Sequence, residues 1–109
     1  MEQLMTVSER FQIGQLGLVL APDFAVPNGH WSDQTHMVTI KNPAGDHFDA
    51  EAIFGLTHFN IRDPEVPIDR RWRITLTLPH TFKEQIPIGT VIFAGSQLVA
   101  ELNNQQKEA

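Results

Sequence analysis

The sequence predicts an all-β protein, a small antiparallel β-barrel of about six strands with a bulged first strand and two long loops. Hydrophobic residues recur with a period close to two wherever a period can be read. Prolines lie at the ends of these runs or in the connections between them, at positions 22, 27, 43, 64, 67, 79 and 87. Because a flat sheet of such short strands would leave its edges unpaired, we expect it to close into a barrel.

The first strand is expected in RFQIGQLGLVLAP, residues 10–22. Phe11 and Ile13 share one parity, whereas the leucines at positions 16, 18 and 20 share the other. A β-bulge around Gly14 produces such a change of phase, because one extra residue turns the following side chains to the opposite face.

A β-hairpin is predicted next. HMVTIKN places Val38 and Ile40 on one face, and HFDAEAIFGL alternates apolar residues from Phe48 to Leu56 with polar ones. The intervening NPAGD supplies a proline with a preset φ and a glycine that tolerates positive φ, as a tight turn requires.

The C-terminal half repeats this logic. RRWRITLTLP alternates Trp72, Ile74, Leu76 and Leu78 with arginine and threonine, which indicates a half-buried strand. PHTFKEQIP has room for at most one helical turn between its two prolines. IPIGT is then a tight corner that leads into a last strand over Val91, Ile92 and Phe93.

The 109 residues fit a single domain over residues 1–109. We expect its core at about residues 10–100, a leader over 1–9 and a frayed polar tail over 101–109. The two long loops cover residues 21–35 and 57–69.

Composition narrows the classes of function. The absence of cysteine excludes disulfides, thiolate metal sites and cysteine nucleophiles, and it fits a cytoplasmic protein. Eight basic and thirteen acidic residues give a net charge of -5, which argues against nucleic acid as a partner. No apolar run is long enough to span a membrane, and no secretory signal is recognisable.

The order of strands and turns resembles a known family. A glycine-containing opening strand, a strand–glycine turn–strand unit at residues 36–56 and the closing IPIGTVIF corner are similar to the β-barrel domains of translation GTPases such as elongation factor Tu (domain 2 type). The resemblance spans roughly Arg10 to Leu98. It implies a barrel that docks on a GTPase domain or on aminoacyl-tRNA, present here without the GTPase domain.

GTP is not expected as a ligand. The sequence has no G-x-x-x-x-G-K-[ST] phosphate loop, and its lysines, at positions 41, 83 and 107, follow no glycine pair.

Two loops carry residue types that are suited to metal binding or catalysis. NGHWSDQTH contains His30, Asp33 and His36, whose nitrogen and oxygen atoms would suit zinc. Their spacing matches no established ligand pattern, so surface histidines are the simpler interpretation. In the second loop, His58 with Asp63 and Glu65 could form an acid–base pair, although a solvated, proline-braced loop is the simpler interpretation.

Two further features indicate a binding surface. Arg71 and Arg73 lie on the outer face by parity, where they either bind an acidic partner or pair with Asp49 and Glu51 across strands. Trp31 is either an exposed interface anchor or a lid folded back on the barrel end.

These observations favour a non-enzymatic, protein-binding module without a cofactor, which uses Trp31, His58, Arg71, Arg73 or an open barrel edge. The alternative is a metal-binding protein or small enzyme that uses the loop histidines and aspartates. A weaker alternative is a translation-associated RNA-binding module. The sequence indicates neither the partner nor the oligomeric state.

Overall fold

A computed structural model describes residues 1–26, 31–58 and 72–107. These residues form seven β-strands, one turn of 3-10 helix at Lys83–Gln85 and one α-helix. The strands are β1 (Glu2–Thr6), β2 (Glu9–Ile13), β3 (Gly17–Phe24), β4 (Gln34–Lys41), β5 (His47–His58), β6 (Trp72–Leu78) and β7 (Val91–Ala94), and the helix is α1 (Ser96–Lys107).

All seven strands belong to one curled antiparallel sheet that forms a half-barrel, in the order β1-β7-β4-β5-β6-β3-β2. The predicted small all-β barrel-like fold is therefore confirmed. The strand count is seven because the residues expected to form one bulged strand form two, β2 and β3, and because the expected leader forms β1.

The two edges of the sheet are tied together by the chain itself. β1 and β2 are the outermost strands of the sheet, yet only Val7 and Ser8 separate them. Val7 donates its N–H to the Thr90 carbonyl just before β7, whereas Ser8 donates to the Ala21 carbonyl of β3. Three peptide units span at most about 11 Å, so the sheet has to curl until its edges meet at this bend.

The core lies inside the curl. Most side chains of β4, β5 and β6 that were expected to face inward are fully buried, namely Val38, Ile40, Ala52, Phe54, Ile74, Leu76 and Leu78. β7 contributes Ile92 and Ala94. In β5 the prediction fails toward the strand ends, because Phe48 and Ala50 are only partly buried and Leu56 is 36% exposed. Alternation with period two thus predicted the buried face of the central strands, except toward the ends of β5.

Both predicted turns are present. The β4–β5 hairpin closes with Gly45 donating to the Asn42 carbonyl at 2.9 Å, and the φ of Gly45 is +97°. In the IPIGT corner, Thr90 donates its N–H to the Pro87 carbonyl at 3.1 Å, and Gly89 has a φ of +95°. The single turn expected within PHTFKEQIP is the 3-10 turn at Lys83–Gln85.

The expected bulge around Gly14 is wrong, because the chain reverses there. Residues 14–16 form a turn in which Leu16 donates to the Ile13 carbonyl at 2.9 Å, and β2 then pairs antiparallel with β3. A reversal and a bulge both change the parity of the apolar residues, so parity alone did not separate them.

The predicted leader and tail are also wrong over the residues that the structure describes. Residues 2–6 form β1, and Leu4, Met5 and Val7 are buried in the core. At the other end, residues 101–107 continue α1, whose Leu98, Val99 and Leu102 pack into the same core. Most of the second long loop, from residue 59 onward, lies outside the described residues.

Candidate functional site

Trp31 belongs to the core. Its side chain is only 8% exposed, and the indole Nε1 donates a hydrogen bond of 2.9 Å to the Phe54 carbonyl of β5. A buried indole presents no surface to a partner, so the interpretation as an exposed anchor is wrong. The burial of Trp31 agrees with the alternative interpretation, a lid folded back on the barrel end.

Asp33 and His36 serve the structure of the β4–β5 pair. Asp33 Oδ1 accepts the backbone N–H of Leu56 at 3.0 Å, just before β4 begins. His36 Nε2 lies 2.8 Å from Gln34 Oε1, and the His36 ring packs edge-on against Phe54 with centroids 5.7 Å apart. His30 lies outside the described residues. Within residues 1–26, 31–58 and 72–107, no three histidine or acidic side chains are grouped to hold a metal.

Replacing Asp33 by alanine tests whether this side chain stabilises the β4–β5 pair or binds a metal. We expect the free energy of unfolding to fall by about 1 kcal/mol, because the Leu56 amide loses its acceptor. Asp33→Asn keeps an acceptor oxygen and should cost less. Thermal denaturation with and without added zinc measures both effects. A melting temperature that rises with zinc in the native chain, but not in Asp33→Ala, would favour the metal site instead.

Arg73 forms an ion pair, although not with the predicted partners. Its Nη2 lies 3.2 Å from Asp23 Oδ1 on the neighbouring strand β3. The register places Arg73 opposite Thr57, eight residues along β5 from Asp49. At about 3.3 Å per residue, these two side chains are about 26 Å apart along the strand. Arg73 therefore pairs across strands as predicted, but its partner is Asp23 and not Asp49 or Glu51.

The remaining predicted groups fall elsewhere. Asp49 accepts a hydrogen bond of 2.8 Å from the Thr39 hydroxyl, and Glu51 lies 4.0 Å from His80. Arg71, Asp63 and Glu65 lie outside the described residues, as does the side chain of His58. Among the described residues, Trp31 and His36 both contact Phe54, whereas Arg73 pairs with Asp23 on β3.

An apolar groove on the outer face of the β2–β3 hairpin was not anticipated. Phe11, Ile13 and Leu16 line this groove, and each is about half exposed. Val19 and Thr75 also line it, and the groove has a volume of about 340 Å³. Large apolar side chains gathered around one depression are typical of interaction surfaces.

The groove lies beside a free sheet edge. β2 pairs with β3 on one side and has no strand on its other side among the described residues. The opposite edge is protected, because β1 has an irregularity at Leu4 and the Leu4 carbonyl lies 3.5 Å from Asn103 Nδ2 of α1. Bulges and covering helices are two common ways of blocking an edge.

The connection from residue 82 to residue 88 approaches β2 without adding a strand to it. Lys83 donates its N–H to Gln12 Oε1 at 3.2 Å, a contact with a side chain and not with the β2 backbone. Phe82 and Ile88 belong to this connection and are both more than half exposed. Exposed apolar side chains therefore lie on the groove side of β2 and on the connection next to it.

The signal for this site was present in the sequence. Phe11 and Ile13 alternate with charged and polar neighbours, but a single strand with a bulge would place them on the same face as Leu18 and Leu20. When residues 9–13 form a separate strand, the alternation no longer requires Phe11 and Ile13 to share a face with the leucines of β3. Their side chains can then face outward.

Comparison with known proteins adds no assignment: no family model, curated protein or solved structure matches this chain. Among the residues that the structure describes, no helix is long and apolar enough to cross a membrane.

Proposed function

We propose that this chain is a non-enzymatic protein-binding domain that accepts an extended segment of its partner along the free edge of β2. One observation supports this proposal more than any other. Within residues 1–26, 31–58 and 72–107, β2 is an unpaired edge strand whose half-exposed Phe11 and Ile13 lie beside an apolar groove, while the other edge of the same sheet is blocked.

The physical basis is β-strand addition. In an antiparallel pair, alternate residues direct their N–H and C=O groups away from the neighbouring strand. β2 therefore directs backbone groups to its outer side that no strand among the described residues pairs. Main-chain hydrogen bonds of an added strand supply affinity, and pockets for alternate side chains supply specificity. We assign the groove as such a pocket, because Phe11 and Ile13 of β2 and Val19 of β3 line it.

The other candidate functions have weaker support. The metal-binding or enzymatic alternative finds no grouped ligands in the described part of the chain. The net charge of -5 disfavours an RNA backbone. The resemblance to translation-factor barrels and the cytoplasmic location rest on the sequence alone. We keep both as parts of the proposal.

Selection of peptides from a displayed library of random 12-residue segments tests the proposal. We expect the chain to enrich peptides with alternating apolar residues, and Phe11→Ser combined with Ile13→Ser to weaken their binding about tenfold. The variant loses the apolar contact area that Phe11 and Ile13 contribute to the groove. This accounts for the weaker binding, since about 1.4 kcal/mol corresponds to a tenfold change in affinity.

Met37→Ser is the matched control, because Met37 is a similarly exposed apolar residue on β4. Its affinity for the selected peptides should equal that of the native chain in isothermal titration. If no peptide is enriched, or if the double variant binds as tightly as the control, the proposal is wrong.

A further inference from the structure

Glu9 occupies the free edge of β2 with its own carboxylate. Its Oε1 accepts the backbone N–H of Arg10 at 3.1 Å, and the same oxygen lies 3.6 Å from Arg10 Nη1. The carboxylate therefore takes a position where an added strand would present its own acceptor. Acidic side chains on an edge strand commonly discourage unwanted pairing.

The Arg10 guanidinium is incompletely paired. Its Nε is buried and has no hydrogen-bond partner among the described residues. The 3.6 Å contact with Glu9 is longer than a hydrogen bond, and the Arg10 side chain is 22% exposed. An arginine offers five donors in a fixed fork that suits a carboxylate, so this group has unused capacity for one.

We infer that the bound segment carries a carboxylate that replaces Glu9 at Arg10. This inference rests on the proposed function and adds a chemical requirement to it. The incoming carboxylate complements the positive charge of Arg10, and the backbone of the added strand accepts the edge amide that Glu9 gives up.

The inference specifies a sequence pattern for the partner. Arg10 and Phe11 lie on opposite faces of β2, because successive side chains alternate. Side chains of an added strand alternate in the same way, so residues that enter the groove beside Phe11 are apolar. The acidic group lies on the other face, an odd number of positions away from them. The carboxylate belongs either to an aspartate or glutamate side chain or to the end of a chain.

The experiment uses peptides selected on the native chain, each synthesised with its acidic residue and with glutamine in that place. A third form carries the glutamine with a free C-terminal carboxylate, and a fourth has the same sequence amidated. We expect the native chain to prefer one carboxylate-bearing form about tenfold over its neutral counterpart, as charge-assisted hydrogen bonds predict. The preferred pair identifies the source of the carboxylate.

Arg10→Gln should abolish this preference, and its circular dichroism spectrum should match that of the native chain, which shows that the variant is folded. Glu9→Gln should tighten binding of the acidic peptide about threefold, because the internal competitor loses its charge. Lys41→Gln changes the net charge as Arg10→Gln does but lies on β4, and it should retain the preference.

The outcomes separate the two proposals. Equal affinity of the native chain for charged and neutral peptides would overturn the carboxylate requirement and leave strand addition intact. Failure of every selected peptide to bind would overturn the proposed function itself. Sedimentation of Glu9→Gln at tens of micromolar tests the other occupant. If Glu9→Gln forms a dimer, and if adding Phe11→Ser and Ile13→Ser makes it monomeric, the edge binds a second copy of this chain. This result would overturn the assignment to a carboxylate-bearing partner.

Discussion

Replacing Trp31 by alanine is expected to lower the free energy of unfolding by about 3–5 kcal/mol. The indole is almost completely buried against the core, and its removal leaves a cavity together with an unpaired carbonyl at Phe54. Urea denaturation followed by circular dichroism measures this loss. For a domain of this size, it is a large part of the total stability.

Trp31→Phe separates packing from hydrogen bonding. The phenyl ring fills much of the space but cannot donate to the Phe54 carbonyl, so we expect a smaller loss of about 1–3 kcal/mol. If Trp31→Ala were as stable as the native chain, the indole would not be a core element. The interpretation as an exposed anchor would then have to be reconsidered.

Gly17→Ala is the second substitution with a large expected effect. Gly17 has a φ of +117°, and a Cβ atom there would lie 2.7 Å from both the Leu78 carbonyl oxygen and Pro79 Cα. These are backbone atoms of β6 and of the residue that follows it, so they cannot move aside cheaply. Backbone strain and overpacking together should cost about 2–5 kcal/mol.

Gly45→Ala is its matched control. Gly45 also has a positive φ, +97°, but a Cβ atom there would meet nothing within 4 Å. It should therefore lose only the conformational part, about 1–2 kcal/mol. Thermal melting of both variants compares the two losses. Equal losses would show that the β3–β6 contact tolerates the methyl group and that its close approach is not limiting.

The central strands were predictable because their side chains obey one simple alternation. Ile74, Leu76 and Leu78 point into the core as their parity required, and the glycine in NPAGD has the positive φ that its turn was expected to use. Burial of one face strongly specifies the register of a strand. The position and buried face of such strands can therefore be predicted from a single sequence.

The ends of the chain were harder to predict because their apolar residues are sparse. Leu98, Val99 and Leu102 lie at helical spacing, but polar residues from position 103 onward conceal the short stripe. In β1, only Leu4 and Met5 of the five strand residues are buried. Such segments are ordered by the sheet and helix against which they pack, and local pattern does not record that contact.

The candidate site shows a different limit. Phe11 and Ile13 were correctly recognised as alternating, yet the face to which they point depends on whether Gly14 begins a bulge or a reversal. Their exposure is a property of the sheet order, which brings β2 to an edge. The pattern of apolar residues predicts the strands, whereas the order of the strands in the sheet comes only from the structure.

The short link between β1 and β2 also has a consequence for how the sheet folds. Glu2 pairs with Ala94, so β1 obtains its neighbouring strand from residues that are far away in the sequence. Contacts of such long sequence separation slow folding. Because Val7 and Ser8 tie β1 to β2, we expect closure of the curl at this bend to be a late step of folding.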